Sequence, residues 1–275
     1  MKKILVPIDF SGDSINALEH AIVIANNIKA NIRMIHVKKS KNFEVPFYFK
    51  DFDYSQGDSL QDYFEILIKK YKDKINHSFD YKIREGLVYK EICNQAKYDD
   101  DYMIVMGTHG ISGFEELLAG SNAFRVVAKA TCPVITVRHG FLRTGITKIV
   151  LPIDLSKESR QKVPFVTELA SFFNAEIHTV SVRETNAKDI IAKLEKYTSQ
   201  VCEYISKKNV KCHTETLSGN NLTDITIDYA KKIGSELIAI MTEQSENPAN
   251  LVMGAYSQQM VNHSPVPVLC IHPNT

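Results

Sequence analysis

The amino-acid sequence predicts an α/β protein with two tandem, doubly wound domains, each a five-stranded parallel sheet with helices on both faces. Three observations support this fold class. The length of 275 residues suits two domains of ordinary size. The opening motif of the chain recurs in its second half, and within each half short apolar runs alternate with stretches of helical periodicity. Such alternation of strands and helices implies a parallel sheet with right-handed crossovers.

The internal repeat covers both ends of each half. KILVPIDFS at residues 3–11 recurs as KIVLPIDLS at 148–156. CPVITV at 132–137 likewise corresponds to VPVLCI at 266–271. Two copies of one domain within a single chain are the simplest explanation of this self-similarity.

The predicted domains span residues 1–140 and 146–275, joined near HGFLRTG at 139–145. The first half also carries extra residues in its middle. They include FEVPFYFKDFDY at 43–54, in which six of twelve residues are aromatic. This segment could be a lid over a ligand, a docking surface for a partner, or a flap packed on its own domain or on the other copy.

Each predicted element has a local reason. KILVPI is a short apolar run, as expected of a strand buried on both faces of a parallel sheet. Ser11 and Ser14 can cap the helix that follows, in which Ile15, Leu18 and Ile22 recur at helical spacing. The other predictions for the first half are strands over 31–37, 78–86, 101–107 and 133–138, and helices over 59–75, 91–98 and 121–130.

A glycine-rich loop follows the fourth predicted strand. Gly107 ends that strand, Gly110 follows it closely, and Gly120 precedes Ser121. Ligands bind at the carboxyl ends of strands in open parallel sheets, and glycine lets backbone N–H groups approach an anion. Ser121 and Asn122 can cap the next helix, whose positive dipole end faces the same place. The pattern favours a phosphate cradle, and a flexible loop before an ordinary capped helix is the alternative.

The spacing G-x2-G-x9-G-S from residue 107, followed by CPVITVR, resembles the nucleotide-binding signature of the universal stress proteins. Asp9 in ILVPIDFS matches the acidic residue after the first strand of that family, and Val37 falls at the end of the second. The resemblance covers essentially the whole chain as two tandem domains. It implies a fold like that of the adenine nucleotide alpha hydrolases, in dimers that pair their last strands.

The resemblance implies an ATP site in the first domain. Asp9 would accept hydrogen bonds from the ribose hydroxyls, and the backbone of Val37 would contact adenine. The glycine loop and its serine would hold the phosphates with Mg²⁺ or Mn²⁺. Asp9 could instead be only a turn carboxylate at a strand end. The predicted nucleotide-binding residues are Pro7, Asp9, Val37, Met106, Gly107, His109, Gly110, Gly120, Ser121 and Asn122.

The second half keeps only part of this pattern. Its counterparts of Asp9, Val37 and Gly120 are Asp154, Val182 and Gly254, whereas Met241, Gln244 and Ala255 replace Gly107, Gly110 and Ser121. Glu243 would also place negative charge near any phosphate. The second domain is therefore expected to carry a degenerate site and to serve mainly as a structural partner.

The last predicted strand of each domain, in PVITVR and PVPVLCI, is expected at a sheet edge. Exposed apolar edge strands invite pairing. We expect the two copies to pair antiparallel as an intramolecular pseudo-dimer, with a homodimer as a further option.

Composition argues against several classes of protein. A net charge of +1 gives no global basis for binding nucleic acid or a membrane surface. No apolar run reaches the roughly 18 residues of a spanning helix, and the start lacks a signal-peptide cleavage site, so a cytoplasmic protein is expected. Five cysteines form no CxxC pair and are expected to be reduced thiols. His36, His109 and His213 show no metal-ligand spacing, so no metal site built from side chains alone is expected.

Three functions stay open on these observations. The first is a regulatory ATP-binding protein with a stress-response role. The second is an adenylating or slowly ATP-hydrolysing enzyme, since FSGDS at 10–14 resembles a pyrophosphate loop of that superfamily but is one residue short. The third is a nucleotide-free dimerising scaffold. No paired carboxylates and no nucleophile with an adjacent base stand out, so no catalytic residue is predicted.

Overall fold

The computed structural model describes residues 1–38, 59–108, 121–138, 140–141, 145–183, 187–242 and 254–273. The chain divides into two compact units, Met1–Leu142 and Arg143–Thr275. The aromatic segment 43–54 lies outside the described residues. No helix in the described part of the chain is long and apolar enough to cross a membrane.

The first unit alternates strands and helices as predicted. Its elements are β1 (Lys3–Pro7), α1 (Gly12–Ile28), β2 (Asn31–Lys38), α2 (Leu60–Tyr71), β3 (Phe79–Glu85), α3 (Val88–Tyr98), β4 (Met103–Gly107), α4 (Ser121–Lys129) and β5 (Val134–Val137). The strands form a parallel sheet in the order β3-β2-β1-β4-β5. The chain winds outward from β1 in one direction and then resumes at β4 on its other side. This doubly wound order confirms the predicted fold class.

The second unit repeats the arrangement. Its elements are β6 (Lys148–Ile153), α5 (Val163–Phe173), β7 (Glu176–Arg183), α6 (Lys188–Ser206), β8 (Cys212–Ser218), α7 (Leu222–Ile233), β9 (Leu237–Met241), α8 (Ala255–His263) and β10 (Val268–Ile271). Its parallel strands follow the order β8-β7-β6-β9-β10. The repeat seen in the sequence is therefore a repeat of the fold.

Burial explains why the strand sequences differ across each sheet. Ile4, Leu5 and Val6 in the central strand β1 are fully buried, as the apolar run predicts. The outer strands β3 and β8 are only partly buried along their length. Polar and charged side chains are therefore tolerated along β3 and β8 but not at the three central positions of β1.

Helix α1 begins at one of the two serines that the sequence offered as caps. Ser11 is its N-cap, with an extended backbone and a hydroxyl that accepts a hydrogen bond from the Ser14 N–H. The helix ends at Lys29, which adopts the left-handed conformation and donates its N–H to the Ala25 carbonyl. In the second unit a short 3₁₀ turn, Glu158–Arg160, occupies the corresponding start, and α5 begins only at Val163.

The expectation of five reduced cysteines is wrong for one pair. Cys202 on α6 and Cys212 at the start of β8 form a disulfide, with their Cα atoms 5.5 Å apart. The two cysteines meet because the chain reverses direction between α6 and β8, so a local spacing motif does not predict this disulfide. Cys93, Cys132 and Cys270 are free thiols. Burial raises the pKa of Cys93 to about 11 and that of Cys132 to about 12, which keeps both protonated and unreactive at neutral pH.

Candidate nucleotide site

The carboxyl ends of β2, β1 and β4 lie side by side in the first unit, because β1 pairs in parallel with both of the other strands. The winding of the chain changes direction between β1 and β4, which is where doubly wound sheets bind ligands. Five of the predicted residues are at this edge: Pro7, Asp9, Val37, Met106 and Gly107. The structure thus brings together parts of the chain that are about a hundred residues apart in sequence.

Asp9 belongs to a tight turn between β1 and α1. Its Oδ1 atom accepts hydrogen bonds from the Ser11 N–H at 3.0 Å and from the Ser11 hydroxyl at 2.5 Å. Since Ser11 also caps α1, the same contacts fix the start of that helix. Asp9 therefore has the turn role that the sequence allowed as an alternative. A ligand role is compatible with it, because a carboxylate accepts several hydrogen bonds at once.

Phe10 holds this turn in place. Its φ of 63° is unusual for an aromatic residue. The ring is only 1% exposed, and it packs against His36 and Phe64 at centroid distances of 5.5 and 5.1 Å. Burial of the ring compensates for the unfavourable backbone conformation, so the direction of the Asp9 carboxylate is set by the core.

Packing against helix α1 explains why residue 107 is a glycine. A Cβ atom built on Gly107 would lie 3.0 Å from the carbonyl carbon, the carbonyl oxygen and the Cβ atom of Asp13. The first turn of α1 therefore contacts the end of β4 so closely that any Cβ at residue 107 would force the helix backbone to shift. Close backbone approach at the strand end is real, but the neighbour that demands it is a helix of the same unit.

The remaining predicted residues divide into two groups. His109, Gly110 and Gly120 lie outside the described residues. Ser121 and Asn122 are the first two residues of α4, which begins at the residue where the sequence placed the start of this helix. The N–H groups of a first helical turn have no partners within the helix, so they suit an anion equally well.

The second unit has a cleft of about 540 Å³ at the corresponding strand ends. Its lining includes Pro152, Asp154, Val182 and Met241, the counterparts of Pro7, Asp9, Val37 and Gly107. Asp154 repeats the turn seen at Asp9, since its Oδ1 accepts from the Ser156 N–H at 2.7 Å and from the hydroxyl at 2.5 Å. The duplicated turn is thus conserved between the units even though the glycines are not.

Lys162 distinguishes this cleft from the edge in the first unit. It is 2% exposed, lines the cleft, and donates from Nζ to the Ser159 carbonyl at 2.7 Å. Burial lowers the pKa of Lys162 to about 7, against the opposing attraction of Asp154. Ala17 stands at the corresponding position of the first unit. Sequence reasoning missed Lys162 because a lysine at the start of a helix is ordinarily solvated.

Fold and site together define a tandem pair of doubly wound α/β domains with a candidate ligand site at the carboxyl edge of each sheet. The sequence profile of the universal stress protein family matches residues 1–138 and again residues 145–272. The chain belongs to this family, as the resemblance predicted.

Relatives match one half of the chain at a time. A universal stress protein of Methanocaldococcus jannaschii is 35% identical over 141 residues, which are 50% of this chain and 82% of that protein. The universal stress protein YxiE of Bacillus subtilis is 30% identical over 151 residues, 50% of this chain and 98% of that protein. The crystal structure of a universal stress protein from Archaeoglobus fulgidus aligns with a TM-score of 0.73 at 19% identity, covering 99% of this chain and 98% of that one. That likeness shows the fold alone.

Proposed function

We propose that the chain is a cytoplasmic, regulatory ATP-binding protein that holds one nucleotide in its first unit. The observation that supports this most is the meeting of Asp9, Val37 and Gly107 at the switch point of the first sheet. A rigid carboxylate suits ribose hydroxyls and an end of β2 suits adenine, and both lie beside the end of β4, where ligands of doubly wound sheets bind.

The described residues suit the nucleoside end of ATP. The carboxylate of Asp9 is half-buried and held by a buried turn, so it is oriented before any ligand arrives. The phosphate end would use the first turn of α4 and the loop 109–120. We expect Mg²⁺ or Mn²⁺ to enter with the phosphates, since a divalent cation offsets charge that backbone N–H groups alone cannot.

The second unit is proposed not to bind ATP in the same way. Met241 ends β9, whereas Gly107 ends the corresponding strand β4 of the first unit. Helix α5 also begins later after β6 than α1 begins after β1. Lys162 adds a buried amine that has no counterpart in the first unit. The carboxyl edges of the two sheets therefore differ in their side chains and in their chemistry.

Calorimetry of the full chain with Mg-ATP tests this proposal, and we expect one site per chain. Asp9→Ala should weaken binding by about 1.5–3 kcal/mol, the worth of hydrogen bonds to a charged group. Asp154→Ala is the matched control, because it removes the same pair of turn hydrogen bonds in the other unit. It should leave ATP affinity unchanged.

A second substitution probes the phosphate end. Gly110→Val should abolish ATP binding if the backbone there approaches the phosphates. Two equal sites per chain, or unchanged affinity in both first-unit variants, would overturn the proposal. Identifying any nucleotide released when the purified protein is denatured shows whether the bound species is ATP or one of its products.

A further inference from the structure

A second cluster of side chains lies in the second unit, at the amino ends of β7 and β8. Glu176 and His178 are two residues apart on β7, so they face the same side of the sheet. His213 on β8 is paired directly with His178. The possible ligand atoms of the three side chains all lie within 4.8 Å of one another. The cluster is at the opposite end of the strands from the cleft at Asp154.

The distances match those of a metal site. Nε2 of His178 lies 3.2 Å from Oε1 of Glu176, and Nε2 of His213 lies 3.4 Å from Oε2. Nitrogen and oxygen ligands at about 2.1 Å from a tetrahedral Zn²⁺ are about 3.4 Å apart. The two imidazole rings are stacked at a centroid distance of 4.7 Å. A metal ion therefore needs only small side-chain adjustments to be bound by all three residues.

Tyr229 on α7 orients one of the ligands. Its hydroxyl lies 3.0 Å from Nδ1 of His178. When Nδ1–H donates to this hydroxyl, the lone pair of Nε2 is directed to the space beside Glu176. Metal-binding histidines are usually fixed in this way through their second nitrogen.

The cluster is anchored on one side and open on the other. The His178 side chain is 11% exposed, whereas that of His213 is 42% exposed. Glu176 also borders a surface cavity of about 590 Å³. Neither histidine lines that cavity, so the exposed side of His213 is the entry path for an ion and the place for a water molecule as a fourth ligand.

Two lysines interact with Glu176 in the metal-free arrangement. Nζ of Lys211 donates to Oε2 at 2.8 Å, and Nζ of Lys148 lies 3.7 Å from Oε1. Lys211 is 68% exposed, so its ion pair contributes little and the side chain can move into solvent. A divalent cation would take the place of the Lys211 ammonium at Oε2.

The first unit has a salt bridge, and not a pair of histidines, at the corresponding register positions. There Arg33 on β2 is paired with Asp80 on β3, as His178 is paired with His213. Nε of Arg33 lies 2.6 Å from Oδ1 of Asp80, which makes a permanent salt bridge between the strands. The second unit has two imidazoles in place of this charge pair, and imidazole is a common metal ligand.

We propose that Glu176, His178 and His213 form a Zn²⁺ site with three protein ligands and one water. Two histidine nitrogens and a carboxylate form a ligand set that zinc prefers. The sequence led to the expectation of no such site, because the ligand spacing is set by strand pairing and not by distance along the chain. This proposal does not depend on nucleotide binding.

The test uses the full chain, stripped of metal with a chelator and free of nucleotide. Zn²⁺ is titrated against a chromogenic chelator, and Co²⁺ serves as a spectroscopic probe. We expect one Zn²⁺ per chain and a Co²⁺ spectrum without thiolate charge-transfer bands. His178→Ala and His213→Ala should each weaken binding by at least about 100-fold, since supporting partners alone are worth about 10–100-fold. His77→Ala, in the first unit, is the control and should bind normally.

Two further variants separate a metal site from a structural cluster. Tyr229→Phe should weaken Zn²⁺ binding by about 10-fold or more through the lost orientation of His178. Lys211→Ala should tighten it, because the competing ammonium is gone, and a damaged fold cannot produce that result. Zn²⁺ affinity that survives both histidine substitutions, or that is absent in the micromolar range, overturns the proposal. Thermal denaturation without metal establishes that each variant is folded.

Discussion

Gly107 at the end of β4 and Asp13 in the first turn of α1 are in backbone contact, so close that a Cβ on Gly107 would stand 3.0 Å from the Asp13 carbonyl oxygen. Nothing flexible separates the two, because the atoms in the way include the helix backbone. The contact ties the candidate nucleotide edge to the helix that begins next to Asp9. It also makes the edge sensitive to the addition of a single carbon atom.

Gly107→Ala is therefore expected to destabilise the protein by about 1–3 kcal/mol, the usual cost of overpacking a tight site. Gly12→Ala is the control, since a Cβ at Gly12 would have no neighbour within 4 Å. Urea denaturation of both variants measures the effect. If Gly107→Ala is as stable as the unmodified chain, the contact between β4 and α1 is looser than described.

Lys162 makes the stability of the protein depend on pH. Burial lowers its pKa in the folded state to about 7, from an ordinary value of 10.5. Between these pH values the unfolded chain binds a proton that the folded chain does not. The free energy of unfolding therefore rises with pH across this window, and this added stability is lost as pH falls through 7. Lys162→Met should abolish this rise and stabilise the protein at pH 6 by about 1–4 kcal/mol.

Denaturation at pH 6, 7.5 and 9 measures the Lys162 effect. Lys157→Met changes an exposed lysine in the same turn and serves as the control. If the free energy of unfolding changes with pH in the same way for the unmodified chain and for Lys162→Met, the buried amine does not cause the pH dependence.

Asp101 should make the stability of the protein depend on pH in the opposite direction to Lys162. It is 4% exposed, and in the described part of the chain neither of its carboxylate oxygens has a hydrogen-bond partner. Burial raises its pKa to about 7, from an ordinary value of 3.8. The folded state then binds a proton that the unfolded state has lost, so stability present below pH 4 falls as pH rises through 7.

Asp101→Asn keeps the shape of the side chain and removes the charge. We expect it to stabilise the protein at pH 8 by about 1–3 kcal/mol, with the gain vanishing near pH 4. Asp100→Asn, at the exposed neighbouring residue, should change little at either pH. A gain that is the same at pH 4 and pH 8 contradicts the assignment to Asp101 ionisation.

The disulfide gives a prediction that can be tested by counting thiols. Alkylation of the denatured, unreduced protein should label three cysteines, and labelling after reduction should reach five. Reduction should also lower the free energy of unfolding by about 2–3 kcal/mol, the value for a cross-linked loop of about ten residues. A Cys202→Ala, Cys212→Ala double variant should match the reduced protein and show no further response to reductant. Five labelled thiols before reduction would exclude the bond.

How far the sequence predicted the structure depended on whether a feature was local. The apolar run of β1 and the cap at Ser11 have local causes, and the positions of these features were predicted correctly. The burial of Lys162 and the pairing of Cys202 with Cys212 depend on parts of the chain that meet only after folding. The cluster at His178 and His213 arises from strand register, which a distance along the chain does not reveal. The packing demand at Gly107 was invisible for the same reason, because its neighbour is a helix almost a hundred residues earlier.

The replacement of Gly107 by Met241 has a consequence for how such a protein can evolve. In an assembly of two identical chains, every substitution appears in both halves at once, so a residue needed by one half cannot be lost from the other. Here both halves are encoded in series, and each can acquire mutations independently. One half can keep the glycine while the other gains a methionine, a buried lysine and a histidine pair. Duplication within one reading frame thus allows the two units to carry different sites, which two identical chains cannot do.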